Sequence, residues 1–595
     1  MNPNRPQERR QTNASANHRL YIWYGVLILI GVCIIFRLFY LQVIRHDYYR
    51  KQALSDQLKE YSIAADRGII SASDSGAEVP VVLNEKLFTL YADPTLVKKV
   101  DDSAQKIAGV LGGDQTSYKK LLLTKNTRYV IMAKRLTPEQ SDKILKYKIP
   151  GVGTQAQNYR TYPQGTLAAQ LLGFVNSEGK GTYGLEQALN NELSGTPGQL
   201  KAITDAAGVP LAASRDNVQI APKRGDNIKL TVDISMQRQL ETILKNGLEH
   251  AKSKSGSVVI MDPYSGAVKA MANYPTYDPA QYYKVSDASV FNNAAVSSPL
   301  EVGSIMKTLT AAAALDQGVI KEDTSYYDPS HWALDGAQIT NIEEDGGAGT
   351  HNIADILNLS INTGATWMLM QMGGQTGQVT SAARHKWYDY MVKHFQLGKQ
   401  TGIEQGYEAP GVIPPPDKGY ALSLTYANTS FGQAMTATPL QMAAAISAVL
   451  NGGTYYKPHL VEQATDSTGT VHKVKPQIVK QDVVSPSVSK SMQRLMEYVV
   501  SKHYFTPGFS DKYSVGGKTG TAQIANPNGG YFANDYNGTY LGFVGGDRPE
   551  YVIMVRANDP KNGGYAGTAA AQPIFGATAH MLIDDFNVAP KTGAN

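Results

Sequence analysis

A single cysteine in 595 residues, Cys33, rules out an intramolecular disulfide. The fold must therefore rest on burial, which a chain this long can supply. The eleven histidines contain no HExxH pattern and there are no paired cysteines, so the sequence offers no metal site and nothing in it asks for a cofactor. Basic blocks are missing as well. The net charge of +5 comes from 56 basic residues scattered among 51 acidic ones, a weak argument for an anionic neighbourhood and an argument against nucleic acid as a partner. With 42 % hydrophobic and 18 % charged residues, disorder throughout is excluded, and at roughly 100–200 residues per domain three to five folded units are allowed. Long hydrophobic runs are scarce too, and only one stands out.

That run is Leu20–Phe36, seventeen residues without a charge, which spans roughly 26 Å as a helix. Arg37 can snorkel, and Leu38–Ile44, broken only by Gln42, extends the helix, giving a membrane anchor over 20–44. Tyr21, Trp23 and Tyr24 form an aromatic belt at its start. A cleaved signal peptide and a buried core helix are the competing readings. No small-x-small cleavage site follows the run, and bulky Leu38, Phe39 and Tyr40 disfavour processing. Arg5, Arg9, Arg10 and Arg19 before the span nearly balance Arg45, Arg50 and Lys51 after it, so orientation rests on the tendency of long C-terminal domains to translocate regardless of charge. The expectation is a cytoplasmic tail over 1–19 and a single pass through the cytoplasmic membrane, with everything after the anchor extracytoplasmic. An exported chain without disulfides is consistent with a bacterial envelope protein.

Beyond the anchor, Asp47–Ile63 reads as polar and helix-like, and from Arg67 to Pro222 short apolar stretches alternate with glycine and proline. This predicts a mixed α/β, loop-rich module over 45–222, with a boundary near Ala221–Gly225. A second module, 223–586, begins with Lys229–Gln237 as a strand running into a helix over Gln237–Ala251. Gly256–Asn273 reads as two strands around an Asp262–Gly266 turn. A mostly helical middle follows, with one helix marked by Thr438 as N-cap, Pro439 at the first helical position and a stop at Asn451-Gly452-Gly453. Lys512–Ile524, Thr539–Gly546 and Tyr551–Asp559 are strand candidates. Two strands, then helices, then three strands predict an α+β domain whose sheet is assembled from both ends of the segment. The last residues, 587–595, read as a disordered tail.

Ser304 and Lys307 lie three apart on a predicted helix, on one face and within mutual reach. A serine needs a base to become a nucleophile, and a desolvated lysine can serve. The spacing alone carries little, because Ser117–Lys120, Ser177–Lys180 and Ser487–Lys490 share it. Ser304 differs in having a glycine before it and the apolar run Leu309–Leu315 after it, which would hold the serine at a buried helix end. Downstream, Ser360 and Asn362 at the end of a helix-like stretch supply a hydroxyl and an amide. Lys518-Thr519-Gly520 sits in a predicted strand between glycines, where a ligand backbone can approach closely. Ser15-Ala16-Asn17 precedes the anchor and so cannot join an external site, and Lys591-Thr592-Gly593 lies in a polar tail and reads as a coincidence.

Together, in this order and on these elements, Ser304-x-x-Lys307, Ser360-x-Asn362 and Lys518-Thr519-Gly520 form the triad of motifs found in penicillin-binding proteins and class A β-lactamases. Nearly the whole chain resembles the class B penicillin-binding proteins, the membrane-anchored peptidoglycan D,D-transpeptidases. Arg67-Gly68-Ile69-Ile70, Arg160-Thr161-Tyr162-Pro163, Gly184-Leu185-Glu186, Leu230–Asp233, Met261–Gly266 and Thr438–Gln441 fall in that family's order. Asn362, Leu90–Val97 and Arg556–Gly567 point to its cell-division branch, with the elongation-type branch as the alternative.

The resemblance implies a non-catalytic pedestal, or dimerisation-like, domain and a transpeptidase domain built on a five-stranded antiparallel sheet flanked by helices. It implies that Ser304 attacks the penultimate D-Ala carbonyl of a stem pentapeptide and forms an acyl-enzyme, which an amine from a second stem resolves. Lys307 is implied as the base, Ser360 as a proton relay and Asn362 as an anchor for the donor peptide. Lys518 and Thr519 would bind the carboxylate beside Gly520, and the backbone N–H groups of Ser304 and Thr521 would form the oxyanion hole. β-Lactams would acylate the same serine. The implied partners are a membrane glycosyltransferase of the FtsW type and other divisome proteins. Three departures stand out: Val302 where the family has proline, Ser71–Val79 where it carries Asp-Arg-Asn-Gly, and Ser430-Phe431-Gly432 in place of a more glycine-rich turn. The first is expected to loosen the approach to the active helix. Two other readings remain open, a serine β-lactamase and a non-catalytic divisome scaffold that kept the fold.

Overall fold

The structure, a computed structural model, describes residues 14–49, 52, 58–203, 218–342, 348–502, 509 and 511–593. The chain falls into two compact units, one of residues 1–65 and 196–223, the other of residues 66–195 and 224–595. In the first, the apolar run forms the helix Ala14–Phe39, which continues through a π-helical turn, Tyr40–Ile44. Its apolar stretch, Arg19–Ile44, is 26 residues long and long enough to cross a membrane. Its side chains, Leu20 to Ile44, are solvent-facing within the chain, and Cys33 is exposed among them. The unit also holds an antiparallel sheet of Leu58–Ile63, Gly198–Ile203 and Val218–Ile220. The expectation of a helix running to Ile63 is corrected there. Leu58 pairs with Ile203 and Ile63 with Gly198, a long-range ladder that no local period announces.

In the second unit, the strand Asn227–Asp233 lies parallel to Ile70–Asp74, which pairs with the long strand Ala77–Ala92. These belong to a seven-stranded sheet that also includes Val130–Leu136, Val152–Thr161, Val461–Thr465 and Val471–Lys473. Next to it, the motifs that resemble the family's non-catalytic module meet at one buried carboxylate. Glu186 is fully buried and accepts from Arg67 Nε at 2.7 Å and from Arg160 Nε at 2.9 Å. Arg160 also donates to Asn84 and to the Gly68 carbonyl. The two guanidinium partners offset the desolvation cost of burying this carboxylate, which a lone charge would carry uncompensated. A Cβ on Gly68 would stand 1.8 Å from the Asp226 carbonyl oxygen, so only glycine permits this crossing.

A five-stranded antiparallel sheet runs in the order Val268–Tyr274, Ser255–Met261, Pro549–Asn558, Tyr531–Gly545, Ser514–Ala525. Both of its faces are covered, which explains why its strands read as continuous apolar runs. Val259, Met261, Leu541 and Phe543 face one core with the helices Met306–Asp316 and Pro439–Leu450. Val258, Ile260, Tyr540 and Val544 face the other, with Ile234–His250 and Gln572–Asp585. Pro439–Leu450 is buried along its whole length and carries no charge, as a core helix should. Thr438 and Gln441 close a reciprocal capping box at its start. The middle departs from a helical reading at Ser325–Thr340, where two short strands, His331–Leu334 and Ala337–Thr340, form a hairpin around Asp335-Gly336. Residues 587–593 correct the expectation of a disordered tail. Val588 is buried, Ala589 N–H donates to Glu550, and Thr592 bonds Asp547.

Candidate active site

Ser304 sits in a single 3₁₀ turn, Gly303–Ile305, that runs directly into the helix Met306–Asp316. Every residue from Met306 to Leu315 in that helix is buried, which anchors the serine from behind while Ser304 itself stays partly exposed. Gly303 has φ +65°, and a Cβ there would lie 2.7 Å from the Thr521 carbonyl oxygen and 3.0 Å from its nitrogen. The backbone just before Ser304 and that of Thr521 are thus brought to contact distance, a closeness only glycine allows.

Val302 does not loosen this turn. Its side chain is fully buried, its carbonyl accepts from Thr539 Oγ1 at 2.8 Å, and the next N–H, on Gly303, donates to the Gly432 carbonyl at 3.0 Å. Gly432, in the Ser430-Phe431-Gly432 turn, packs so closely that a Cβ would reach to 2.2 Å from the Gly303 oxygen.

Lys307 is fully buried. Its ammonium donates to Asn362 Oδ1 at 2.8 Å, to Ser360 Oγ at 3.1 Å and to the Ser360 carbonyl. Ser360 holds φ +59°, a left-handed conformation that costs roughly 1–2 kcal/mol for a residue with a side chain. From the sequence, Ser360 and Asn362 are expected at the end of one helix. In the structure that helix, Ile353–Asn358, stops earlier, and Asn362 opens the next one, Asn362–Met372. The left-handed serine makes the corner between them, which points its carbonyl and hydroxyl at the same lysine. Asn362 Nδ2 donates to the Thr340 carbonyl at 3.1 Å.

Lys518, Thr519, Gly520 and Thr521 lie on Ser514–Ala525, the outermost strand of the five-stranded sheet. Lys518 is buried and donates to Thr519 O at 3.1 Å and Thr519 Oγ1 at 3.3 Å. Gly520 is pressed between two segments, with a Cβ falling 2.3 Å from Thr539 Oγ1 and 2.7 Å from the Val302 oxygen. Gly567 N–H donates to Thr521 Oγ1 at 3.0 Å and fixes that hydroxyl. The structure therefore brings Ser304, Gly520 and Thr521 together, and Lys307, Ser360 and Asn362 together. Of the look-alike pairs, Ser117–Lys120 and Ser487–Lys490 fall on the separate helices Gln115–Leu122 and Pro486–Lys502.

Two residues at the rim escaped the sequence reading. Glu301, three positions before Ser304, accepts through Oε1 from Ala434 N–H and from the Tyr531 hydroxyl, each at 3.0 Å, while Oε2 is buried without a hydrogen-bond partner. Burial pushes the Glu301 carboxyl above the usual carboxylate range. Burial, then the neighbouring Glu301 charge, pushes Tyr531 up to about 12. A charged residue just before an apolar helix was the available signal for Glu301. Tyr531 follows a Gly529-Gly530 turn and carries no local mark of its partner.

Residues 256–580 match the penicillin binding protein transpeptidase domain, and residues 62–230 match the penicillin-binding protein dimerisation domain. Over 98 % of its length the chain is 30 % identical to Stage V sporulation protein D of Bacillus subtilis, of which it covers 88 %. It is 26 % identical to the peptidoglycan D,D-transpeptidase FtsI of Escherichia coli K12, over 98 % of this chain and 95 % of that protein. The solved structure of penicillin binding protein 2X from Streptococcus thermophilus shares the fold, with a TM-score of 0.70 at 23 % identity, over 88 % of this chain and 80 % of that one. A peptidoglycan synthetase from Bifidobacterium adolescentis gives 0.69 at 26 % identity, over 90 % and 98 %. On these matches the chain belongs to the penicillin-binding protein transpeptidases, as a class B peptidoglycan D,D-transpeptidase.

Proposed function

We propose that Ser304 is the acylated nucleophile of this transpeptidase and that Lys307, Ser360 and Asn362 serve it. The observation that carries the reading is the buried Lys307 ammonium, one helical turn from Ser304 and held by Ser360 Oγ and Asn362 Oδ1. A neutral lysine needs only two of these acceptors and turns its lone pair to the serine proton. Ser304 Oγ then bonds the penultimate D-Ala carbonyl carbon of a stem pentapeptide. The C–N bond breaks, and the proton passes through Ser360 to the leaving D-Ala amine. An acceptor amine from a second stem resolves the ester and regenerates Ser304. Backbone N–H groups of Ser304 and Thr521 would stabilise the oxyanion, each donor contributing about 3 kcal/mol. Lys518 and Thr519 would bind the terminal carboxylate. The edge position of Ser514–Ala525 allows the donor peptide to lie along it as an added strand.

Incubating the full-length protein in detergent with a fluorescent penicillin tests the assignment. A long-lived adduct that Ser304→Ala abolishes, with the melting temperature unchanged, supports it; rapid turnover of the adduct would instead indicate a β-lactamase.

The division role, the single-pass topology with an extracytoplasmic catalytic domain, and a glycosyltransferase partner of the FtsW type are part of the same reading. The likeness to FtsI and the apolar helix Arg19–Ile44 support them. A sporulation role is the second reading, favoured by the 30 % identity to Stage V sporulation protein D. Depletion in growing cells separates them: filaments indicate division, and normal growth with defective spores indicates the alternative. Spheres would indicate the elongation-type branch.

A further inference from the structure

The side chain of Asp328 is fully buried. Oδ1 accepts from Ser330 N–H at 2.8 Å, and Oδ2 accepts from Asn341 Nδ2 at 2.7 Å and from Thr363 Oγ1 at 2.7 Å. These donors, like the Tyr326 hydroxyl beside Thr363 Oγ1 at 3.3 Å, are uncharged, so this carboxylate is retained at a desolvation cost that a neutral side chain would not carry. Its surroundings show what it holds.

The helix Asn362–Met372 begins without a side-chain cap, because its N-cap residue is Ile361. The first N–H groups of such a helix need outside partners. Thr363 N–H finds one in Asn341 Oδ1 at 3.0 Å. Asn341 can present its oxygen there only if its nitrogen faces the other way, and that nitrogen is the atom bonded to Asp328 Oδ2. Asp328 thus orients the residue that caps the helix, grips the Thr363 hydroxyl directly, and places a negative charge at the positive end of the helix dipole. Trp332 Nε1 adds a bond to the Thr363 carbonyl at 2.9 Å, and the neighbouring Thr340 carbonyl holds Asn362 Nδ2.

The residue anchored in this way follows Asn362 immediately and lies three positions after Ser360, whose left-handed φ of +59° needs a fixed backbone on its far side. We propose that Asp328 is a positioning residue for the reaction. By locking Thr363 and setting the orientation of Asn341, it fixes the corner from which Ser360 and Asn362 meet Lys307. The inference rests on the roles proposed above for Ser360 and Asn362.

Stopped-flow acylation of the full-length protein by a fluorescent penicillin, resolved into a non-covalent dissociation constant and an acylation rate constant, tests it. Asp328→Asn and Thr363→Val should each slow acylation by about 10- to 100-fold, the scale of a small misplacement of reacting groups. Because the two residues act as a unit, the double variant should be no slower than the slower single variant. The loss should persist well below each variant's melting temperature. Acylation within about twofold of wild type, losses that multiply in the double variant, or a defect that disappears on cooling would overturn the proposal. Ser360→Ala and Asn362→Ala are measured alongside. If they acylate normally, the underlying assignment fails; if they are slow while Asp328→Asn and Thr363→Val are normal, only the inference fails.

Discussion

Lys307 and Asn362 are 55 positions apart in the chain, yet the lysine Nζ donates to the asparagine Oδ1 at 2.8 Å. Neither side chain could hold this geometry from its own helix alone. Lys307 is fully buried with the Phe431 ring centroid 6.0 Å from its ammonium, and Asn362 is held from outside its helix by the Thr340 carbonyl.

Removing the lysine amine should remove proton transfer and leave the fold. Lys307→Met replaces a buried chain of similar length, and general-base losses of about 10²- to 10⁴-fold are typical. The expected result is a fall of that size in the rate of penicillin acylation with far-ultraviolet circular dichroism unchanged. Acylation at the wild-type rate would exclude Lys307 as the base.

Gly303→Ala should damage the site through the backbone. A left-handed alanine costs about 1–2 kcal/mol before any clash, and its Cβ would press on the Thr521 carbonyl at 2.7 Å. The serine turn and the edge strand must then part. Acylation should slow by more than tenfold while most of the protein stays folded, a loss larger than for Gly318→Ala, where the φ is also positive but a Cβ meets nothing within 4 Å.

Glu186→Ala should be among the most destabilising changes outside the catalytic sheet. It leaves Arg67 and Arg160 buried without their carboxylate, and breaking a buried ion pair by removing one partner costs about 3–5 kcal/mol. Chemical denaturation should show the midpoint falling accordingly. Arg67→Ala should fall in the same range, and the double variant should lose less than the sum of the two.

Glu301 gives a pH dependence of defined sign. Burial raises its carboxyl in the folded protein, so the folded state binds the proton more tightly than the unfolded state does. The stability contributed by the protonated form is fully present below the ordinary glutamate value and is lost as pH rises through the raised one. Glu301→Gln is neutral throughout and lacks that slope. The difference in melting temperature, wild type minus Glu301→Gln, should therefore decrease as pH rises across this interval. An increase would contradict the burial of the charge.

Local pattern and chemistry were enough to mark the membrane-length helix, the Thr438-capped core helix, the five strands of the catalytic sheet and the residues of the three motifs. Each depends on a short-range signal: a charge-free run, a capping box, apolar runs between turns, or reactive side chains at fixed spacing. Leu58–Ile63 reads locally as helix but forms a strand, because its partner lies at the distant Gly198–Ile203. The helical reading of the middle passes over Asp335-Gly336, a local turn signal between the short strands of the hairpin His331–Thr340, whose contact with Asn362 only the folded chain shows.

The order and identity of the chemical groups this protein carries are set along the chain, because side-chain identity and local backbone preference are properties of neighbouring residues. Which of those groups meet depends on the tertiary structure, as where Lys307 bonds Ser360 and Asn362 and where the Gly303 turn meets Thr521. Ser487 and Lys490 have the same spacing as Ser304 and Lys307, but burial, a left-handed corner at Ser360 and glycine-limited contacts at Gly303 and Gly520 select a single set. Those are long-range packing constraints, and they exist only when distant segments are in contact.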